Sequence, residues 1–231
     1  MTPRPLALVT GASSGIGLAI ARRLLEDGWQ VLGLSRTPAD LGDSPHHEHL
    51  PLDLSRPDGL ADAVTEALAG RPVQALVHAA GFMRVGRLGE LDGEDLQAMW
   101  RVHVQAAEVL ANALAPGMTE GGRIVLIGSR ASAGVANRSQ YGATKAAMVA
   151  MARAWAAELA PRRITCNVVA PAATLTPMLA DPARAGERPR MPPIGRYIEP
   201  EEVAAAVAFL LSAQAGAITG QQLSICGGSS L

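Results

Sequence analysis

The 231-residue chain has few cysteines and almost no net charge, and each shortage excludes a class of protein. Cys166 and Cys226 lie far apart without a close-spaced partner, so the sequence indicates neither a zinc pair nor a disulfide framework. The formal net charge is -1, with acidic and basic residues interspersed, which argues against a nucleic-acid partner. We therefore expect two free thiols and a small-molecule partner.

Long apolar runs are also missing. No uncharged apolar run approaches the roughly 20 residues that are needed to cross a bilayer. The N-terminal segment lacks the longer apolar stretch and the small-residue cleavage site of a signal peptide. The sequence therefore predicts a cytoplasmic protein that does not associate with a membrane.

Lysine is the scarcest charged residue, because Lys145 is the only lysine among 20 basic residues and all the others are arginine. A guanidinium cannot replace a compact ammonium beside a phenol or a ribose, since it is larger, planar and hydrated differently. We interpret Lys145 as chemically required. Composition alone leaves open that a single lysine survived by chance.

Short apolar runs alternate with longer alanine-rich stretches of helical period, and this pattern builds a parallel sheet covered on both faces. Helical stretches are predicted after each of the first six strands; in the first of them, Ile16, Ile20 and Leu24 share one face. The predicted strands cover residues 6–10, 30–35, 48–52, 73–78, 123–128, 164–169 and 222–225. The sequence therefore predicts an α/β fold, a single Rossmann-type doubly wound domain over residues 1–231 with a seven-stranded, mostly parallel sheet.

The stretch from about residue 172 to 200 interrupts this alternation, because its six prolines are incompatible with a continuous helix. A long loop at the carboxyl end of a strand in such a sheet is where ligands bind, so we interpret the stretch as a substrate lid. Arginines at positions 184, 188, 190 and 196 outnumber Asp181 and Glu187 there, and one interpretation is an anionic substrate. We favour the other, a solvated loop in an arginine-rich protein.

A glycine-rich loop joins the first predicted strand to the helix that follows it. Glycines let the backbone turn tightly and approach a pyrophosphate, while the N-terminal amides and positive dipole end of the helix face that anion. In this strand-loop-helix setting the loop predicts dinucleotide binding rather than a structural turn. The predicted contacts come from Gly11, Ser13, Ser14, Gly15, Ile16 and Gly17.

The second predicted strand ends at Ser35 and is followed by Arg36. A site for NAD commonly has an acidic side chain here that binds the 2′-hydroxyl of the adenosine ribose, whereas a 2′-phosphate requires a cation and no carboxylate. Ser35 and Arg36 therefore favour NADP(H) as the cofactor, with NAD(H) as the alternative. The competing interpretation of Arg36 is an ordinary solvent-facing arginine.

Tyr141 and Lys145 are four positions apart on a predicted helix, so the phenol and the ammonium share one helix face. A tyrosine with an ordinary pKa of about 10 is a poor base at neutral pH, but a nearby cation lowers that pKa by favouring the phenolate. Ser129 closes the fifth predicted strand, where its hydroxyl can hold a substrate oxygen. These three residues are candidates for catalysis.

The glycine loop, Ser129, Tyr141 and Lys145 together resemble the motifs of the classical short-chain dehydrogenase/reductase family, over essentially the whole chain. The resemblance implies that Tyr141 is the general acid/base, that Ser129 orients the carbonyl or alcohol, and that Lys145 holds the nicotinamide ribose while tuning Tyr141. It implies a homotetramer or homodimer packed through the helices that contain Met99 and Met148. It also implies cofactor contacts from Asp53, Leu54, Ala80, Gly81, Pro171, Thr174 and Thr176.

Several positions depart from the family pattern. After the fourth strand the family usually has Asn-Asn-Ala-Gly, and here the chain has His78-Ala-Ala-Gly81, which predicts weaker side-chain ties to the central strand. His103 stands where the family has an asparagine whose backbone helps to hold a water between the catalytic lysine and solvent. Either the backbone preserves this relay and the imidazole packs in the interior, which we favour, or the imidazole itself transfers protons with its ordinary pKa of about 6.5.

The sequence thus predicts an NADP(H)-dependent oxidoreductase that interconverts a carbonyl and an alcohol on a small molecule. No metal site is predicted, because His46, His47 and His49 lie in a polar loop without a matching ligand cluster. Two alternatives stay open. One is an NAD-dependent dihydrodiol or hydroxy-acid dehydrogenase, which the end of the second strand disfavours. The other is a nucleotide-binding sensor without turnover, which the complete acid/base set disfavours.

Overall fold

Seven strands form one sheet in the computed structural model, which describes residues 4–181 and 190–231. The strands are β1 (Leu6–Thr10), β2 (Gln30–Ser35), β3 (His47–Pro51), β4 (Ala75–His78), β5 (Arg123–Ile127), β6 (Thr165–Pro171) and β7 (Gln222–Ile225). Their order is β3-β2-β1-β4-β5-β6-β7, and every neighbouring pair is parallel. The predicted doubly wound α/β fold with seven strands is confirmed.

Helices cover both faces of this sheet. They are α1 (Gly15–Glu26), α2 (Leu60–Leu68), α3 (Gly93–Trp100), α4 (Ala106–Leu114), α5 (Ser139–Leu159) and α6 (Pro200–Leu211). A π-helical turn at Arg101–Gln105, called the π turn below, joins α3 to α4. Among the described helices, none has the length and apolar character that a membrane span requires.

Successive residues of the central strands face opposite sides of the sheet and so build two hydrophobic cores. On one side, Val9 of β1 is buried with Ile20 of α1 and Val207 of α6. On the other side, Leu8 of β1 is buried with Leu110 of α4 and with side chains of α2 and α5. The strands β1, β4, β5 and β6 are buried along their whole length, as expected where helices cover both faces.

The link between β2 and β3 differs from the prediction. Strand boundaries agree with the predicted ones to within two residues, but the helix predicted after β2 is wrong, because residues 36–46 form only bends and turns. Pro38 and Pro45 restrict this link, and Gly42 turns it with φ of 64°. Arg36 therefore lies in an exposed loop instead of at the start of a helix.

The strand order reverses between β1 and β4, which are neighbours in the middle of the sheet. The chain leaves β1 toward β2 on one side and leaves β4 toward β5 on the other. In doubly wound sheets the crevice at the carboxyl ends of such strands is the ligand site. The glycine loop, the segment after His78 and Ser129 all lie at this edge.

The stretch predicted as a lid, about residues 172–200, is irregular in its described part. It contains a 3₁₀ turn at Pro177–Ala180, and a continuous helix starts only with α6 at Pro200. Residues 182–189, with Arg184, Arg188 and Glu187, lie outside the described residues.

Candidate active site

A cleft of about 1480 Å³ opens at the carboxyl ends of the central strands. Its wall contains every residue predicted for catalysis or cofactor binding except His103, which lies behind the wall and is fully buried. The predicted residues in the wall are Gly11, Ser13, Ser14, Gly15, Ile16, Gly17, Ser35, Arg36, Asp53, Leu54, Ala80, Gly81, Ser129, Tyr141, Lys145, Pro171, Thr174 and Thr176. The fold thus brings together segments that are far apart in the sequence.

The start of α1 forms a cradle for an anion. Ser14 precedes the helix with an extended backbone, and its side chain accepts no hydrogen bond from the amides of the first turn. That turn contains no acidic residue, so its amides and the positive helix end meet no negative side chain of their own. A Cβ on Gly17 would overlap the Gly11 carbonyl oxygen, so the loop and the helix can approach only with glycine there. These features fit a dinucleotide pyrophosphate.

The residues after β2 and β3 form another end of the cleft. We call it the adenosine end, because the sequence predicts the contacts with the adenosine part of the cofactor there. The Ser35 hydroxyl donates to the Thr37 carbonyl at 2.7 Å, and Asp53 Oδ1 accepts from the Ser55 amide at 3.0 Å and hydroxyl at 2.7 Å. Those bonds from Ser55 lower the pKa of Asp53, and the positive charge of Arg36 lowers it further. Arg36 is exposed and makes no hydrogen bond with the described residues. Its guanidinium is available to an anionic ligand.

Tyr141 and Lys145 lie on one face of α5, and both side chains are buried in the cleft wall. Lys145 Nζ donates to the Ile127 carbonyl at 2.8 Å and lies 5.8 Å from the centre of the Tyr141 ring. Burial lowers the pKa of Lys145 to about 7, because removal from water disfavours the charged ammonium. The ammonium can therefore exchange its proton near neutral pH.

Ser129 follows β5, and its Oγ accepts a hydrogen bond from the Ala131 amide at 3.1 Å, which starts a 3₁₀ turn. This bond does not use the hydroxyl hydrogen of Ser129, which stays available to a substrate oxygen. The turn packs directly on α5, since a Cβ on Gly142 would lie 2.8 Å from the Ala131 carbonyl oxygen. Gly142, which the sequence analysis did not single out, thus lets the Ser129 turn approach Tyr141.

The predicted weakening of side-chain ties after β4 is wrong, because His78 makes two of them. Its Nε2 donates to the Val102 carbonyl at 3.0 Å, and its Nδ1 accepts from the Thr10 hydroxyl at 3.1 Å. Thr10 Oγ1 in turn accepts from the amides of Ala79 and Ala80, each at 3.0 Å. Burial lowers the pKa of His78 to about 3, so the ring is neutral. A neutral imidazole therefore ties β1, β4 and the π turn together.

His103 lies within the π turn, and both of its ring nitrogens have partners. Nε2 accepts from the Phe82 amide at 3.1 Å, and Nδ1 is 2.8 Å from Thr144 Oγ1. Burial, and then the nearby Lys145 and His78, lower the pKa of His103 well below its usual value. The ring is neutral and engaged on both sides, which favours the hypothesis of a packed imidazole over that of a proton carrier.

Thr10 and Thr144 support the site from behind, and the sequence analysis missed both. Thr10 links the glycine loop to the segment after β4, and Thr144 links His103 to α5, the helix of Tyr141 and Lys145. In the sequence, the only indication of their role is that Thr10 ends an apolar strand and Thr144 precedes Lys145. Neither position reveals its partner in the sequence, because the partners come from other elements.

The arginines around the mouth of the cleft differ in their engagement. Arg196 forms a two-pronged ion pair with Glu202, at 2.6 and 2.9 Å, on the surface, whereas Arg190 lines the cleft. Arg84, which the sequence analysis did not consider, also lines the cleft, and its guanidinium carbon lies 4.9 Å from the centre of the Phe82 ring. Arg196 thus behaves as a solvated surface residue, as we favoured for the lid arginines.

Comparison with known sequences defines the family. Residues 11–230 match a sequence family described as Enoyl-(Acyl carrier protein) reductase. The chain is 37% identical over 237 residues to the uncharacterized oxidoreductase YmfI of Bacillus subtilis, covering 96% of this chain and 97% of that protein. The chain belongs to the short-chain dehydrogenase/reductase family. It is also 34% identical to the 3-oxoacyl-[acyl-carrier-protein] reductase FabG of Vibrio cholerae, with 96% of each chain covered.

Several solved structures have the same architecture as this chain. A blue fluorescent protein from a metagenomic library, in complex with NADPH, is 31% identical with a TM-score of 0.86 and 98% of each chain covered. A 3-ketoacyl-(acyl-carrier-protein) reductase from Brucella melitensis, in complex with NADH, is 30% identical with a TM-score of 0.87 and the same coverage. As a member of this family, the chain is an oxidoreductase that acts on CH–OH or C=O groups with a nicotinamide cofactor.

Proposed function

We propose that this short-chain dehydrogenase/reductase interconverts a carbonyl and an alcohol on a small molecule, with NADP(H) as preferred cofactor and Tyr141 as general acid/base. The observation that carries the proposal is the shared position of Ser129, Tyr141 and Lys145 in one wall of the cleft, beyond the anion cradle of α1. When bound, the nicotinamide supplies or accepts the hydride.

The described residues fit such a cofactor along the whole cleft. The glycine loop and the amides of α1 would hold the pyrophosphate, and Asp53 and Leu54 would contact the adenine. Lys145 would hold the nicotinamide ribose, and Thr174 and Thr176 would contact the carboxamide. Residues 1–231 would then act as one dinucleotide-binding and catalytic domain, with a substrate lid at about residues 172–200.

Proton transfer falls to the side chains of the chain itself. In the direction of reduction, Ser129 donates a hydrogen bond to the carbonyl oxygen, and Tyr141 gives its phenolic proton to that oxygen as the carbon gains a hydride. Lys145, with a pKa of about 7, stabilises the resulting phenolate by its charge and can return a proton to it. Oxidation of an alcohol runs through the same groups in reverse.

The preference for NADP(H) rests on the adenosine end. Ser35 places no carboxylate at the end of β2, and the exposed Arg36 beside it can pair with a 2′-phosphate. The structure similar to this chain that contains NADPH supports the proposal, while the one that contains NADH keeps NAD(H) as the alternative.

Assembly into a homotetramer or homodimer is part of the proposal, with one refinement. Met99 and Met148 are fully buried in the core of the chain and cannot themselves meet a partner. On the neighbouring surface Trp100 is 44% exposed, and contacts between subunits would use such residues. A cytoplasmic location stays a prediction from the sequence.

The experiment that tests the proposal follows nicotinamide absorbance with purified protein, NADPH or NADH, and a panel of ketones, diketones, quinones and acyl thioesters. We expect turnover of at least one carbonyl class, faster with NADPH than with NADH. Tight binding of the cofactor without turnover of any substrate would instead support a nucleotide-binding sensor.

A further inference from the structure

A chain of hydrogen bonds runs behind the catalytic wall, from the segment after β4 to the helix of Tyr141. Its members are the Phe82 amide, the imidazole of His103, the hydroxyl of Thr144 and the Tyr141 carbonyl. The three distances along it are 3.1, 2.8 and 2.8 Å. His103 and Thr144 are both fully buried, so water does not compete for these bonds.

The direction of every bond in this chain is fixed by its first member. A backbone amide can only donate, so His103 Nε2 must be unprotonated to accept from Phe82. Because the buried ring is neutral, its single proton is on Nδ1, which donates to Thr144 Oγ1. The Thr144 hydroxyl then donates to the Tyr141 carbonyl. One tautomer and one hydroxyl orientation satisfy all of the groups.

The two ends of this chain are parts of the catalytic wall. Phe82 follows Gly81 in the wall of the cleft, and Tyr141 carries the proposed acid/base group. The His103 ring also packs between the two aromatic rings, edge-on to Tyr141 with centroids 5.7 Å apart and tilted to Phe82 at 5.8 Å. The imidazole thus fixes the spacing between the segment after β4 and α5.

We propose that Thr144 is a positioning residue for Tyr141, and that it acts through a neutral His103 whose Nδ1 carries the proton. Thr144 holds the Tyr141 peptide on one side and the imidazole on the other, and so sets the height of the phenol over the substrate position. The proposal rests on the role of Tyr141 proposed above.

A purely local explanation of Thr144 is insufficient. Threonines in helices commonly bond to a carbonyl one turn earlier, as Thr65 does to Ala61 in α2 at 2.8 Å. Thr65 is exposed and has no second partner among the described residues. Thr144, in contrast, is buried and also accepts a hydrogen bond from His103 Nδ1. Loss of the Thr144 hydroxyl would leave the buried Nδ1–H of His103 without an acceptor. Because an unpaired buried donor is costly, we expect the neighbouring residues of the wall to shift.

The experiment compares Thr144→Val, which has nearly the same shape without the hydroxyl, with Thr144→Ser, which keeps it. Thr65→Val is the matched control, because it removes the same kind of helix bond away from the cleft. We expect Thr144→Val to lower kcat by about tenfold to a hundredfold, the scale of a small misplacement of a reacting group, with the Kd for NADPH changed less than about threefold. Thr144→Ser should recover most of the turnover, and Thr65→Val should match wild type.

The dependence of kcat on pH separates positioning from a merely structural role. A displaced phenol meets the charge of Lys145 at a different distance, so the pH–rate limb of Tyr141 should shift in Thr144→Val and return in Thr144→Ser. Unchanged kcat and an unchanged limb in Thr144→Val would overturn the proposal. Loss of thermal stability without a kinetic change would overturn it too, since the role would then be structural only.

Two further measurements test the chain of bonds itself, and the first needs only the wild type, so it applies even if Thr144→Val folds poorly. ¹⁵N-labelled histidine spectra of the wild type should show His103 neutral with its proton on Nδ1, and a proton on Nε2 would contradict the chain of bonds. His103→Leu, which has no hydrogen-bonding group, combined with Thr144→Val should be no slower than the slower single variant, because both break the same chain, whereas additive losses would contradict it. The spectra need no substrate, so they stand even if Tyr141→Phe shows that the proposed reaction is wrong.

Discussion

The two ends of the cleft are built differently. At the adenosine end, Arg36 is exposed without a hydrogen bond to the described residues, and Asp53 bonds only within its own turn. At the catalytic end, Lys145, His78 and His103 are buried, and their nitrogens bond to groups on other elements. Among the described residues, these side chains of the first end bond within their own turn or not at all, whereas those of the second depend on one another.

This difference predicts which substitutions have local effects. An exposed arginine can be exchanged without leaving a buried group unpaired, so its loss should change only what it binds. A buried polar group that loses its partner carries the full penalty of desolvation, so a change at the catalytic end should affect several residues at once.

Tyr141→Phe should have the largest effect, because it removes the proposed proton donor and acceptor while keeping the ring. We expect turnover to fall by about a hundredfold or more, the scale of losing a positioned acid/base, with cofactor affinity nearly unchanged. Steady-state kinetics and NADPH titration measure the two quantities. Tyr197→Phe is the matched control, since Tyr197 is the only other tyrosine of the chain. Near-normal turnover in Tyr141→Phe would show that Tyr141 is not the general acid/base.

Lys145→Arg should impair turnover nearly as strongly although it preserves the charge. The buried Nζ donates to the Ile127 carbonyl at 2.8 Å, and a larger, planar guanidinium cannot take its position without moving its neighbours. We expect turnover to fall by about tenfold or more, on the scale of a misplaced reacting group. Full activity would show that only the charge matters and would contradict the interdependence of the catalytic end.

Arg36→Leu should change the choice of cofactor and little else. A charge-assisted contact with a phosphate contributes about 1.5–3 kcal/mol, so the preference for NADPH should fall by roughly ten- to a hundredfold, and adding Ser35→Asp should favour NADH. The ratio of kcat/KM for the two cofactors measures this. Arg56→Leu is the control, because Arg56 also lies near Asp53 but does not line the cleft. An unchanged ratio would show that the phosphate is held elsewhere or is absent.

His103→Asn should have the smallest effect on turnover, because the asparagine amide can still donate to Thr144. The pH–rate profile should stay the same, since the neutral His103 adds no ionisation between about pH 6 and 7. Loss of a limb in that range, together with a large loss of activity, would implicate the ring in proton transfer.

The free energy of unfolding should depend on pH through the two buried histidines, His78 and His103. His78 and His103 have folded-state pKa values below 6.5, so near that pH the unfolded chain binds protons that the folded chain does not. Folding stability is therefore lost as pH falls through about 6.5, the unfolded-state pKa. Urea unfolding of wild type and His103→Asn between about pH 5 and 8 should give a shallower dependence in the variant.

The sequence was sufficient to predict the fold, because strand periodicity and the glycine loop are local patterns. It also predicted which residues line the cleft, since the carboxyl ends of parallel strands meet at one edge of the sheet. The helix predicted after β2 failed because the alternation of elements was extended to a link that is short and rich in proline.

The support of the site could not be predicted, because it depends on contacts between distant segments. His78 looked like a loss of ties, and only its position opposite Thr10 and Val102 shows that the imidazole replaces them. The sequence does not distinguish Thr144 from any other helical threonine, because its partner His103 comes from another element. A single sequence gives the residue types in such pairs but not their distances.

The single lysine of this chain has a consequence for covalent chemistry. An amine with a pKa of about 7 is largely uncharged at mildly alkaline pH and is a strong nucleophile, but here burial protects it from bulky reagents. Small electrophiles that enter the cleft should therefore acylate one lysine side chain, and a bound dinucleotide should shield it. If Lys145 has its proposed role, the same buried amine is also the one lysine through which the protein can be inactivated selectively, or fitted with a reporter at a defined position.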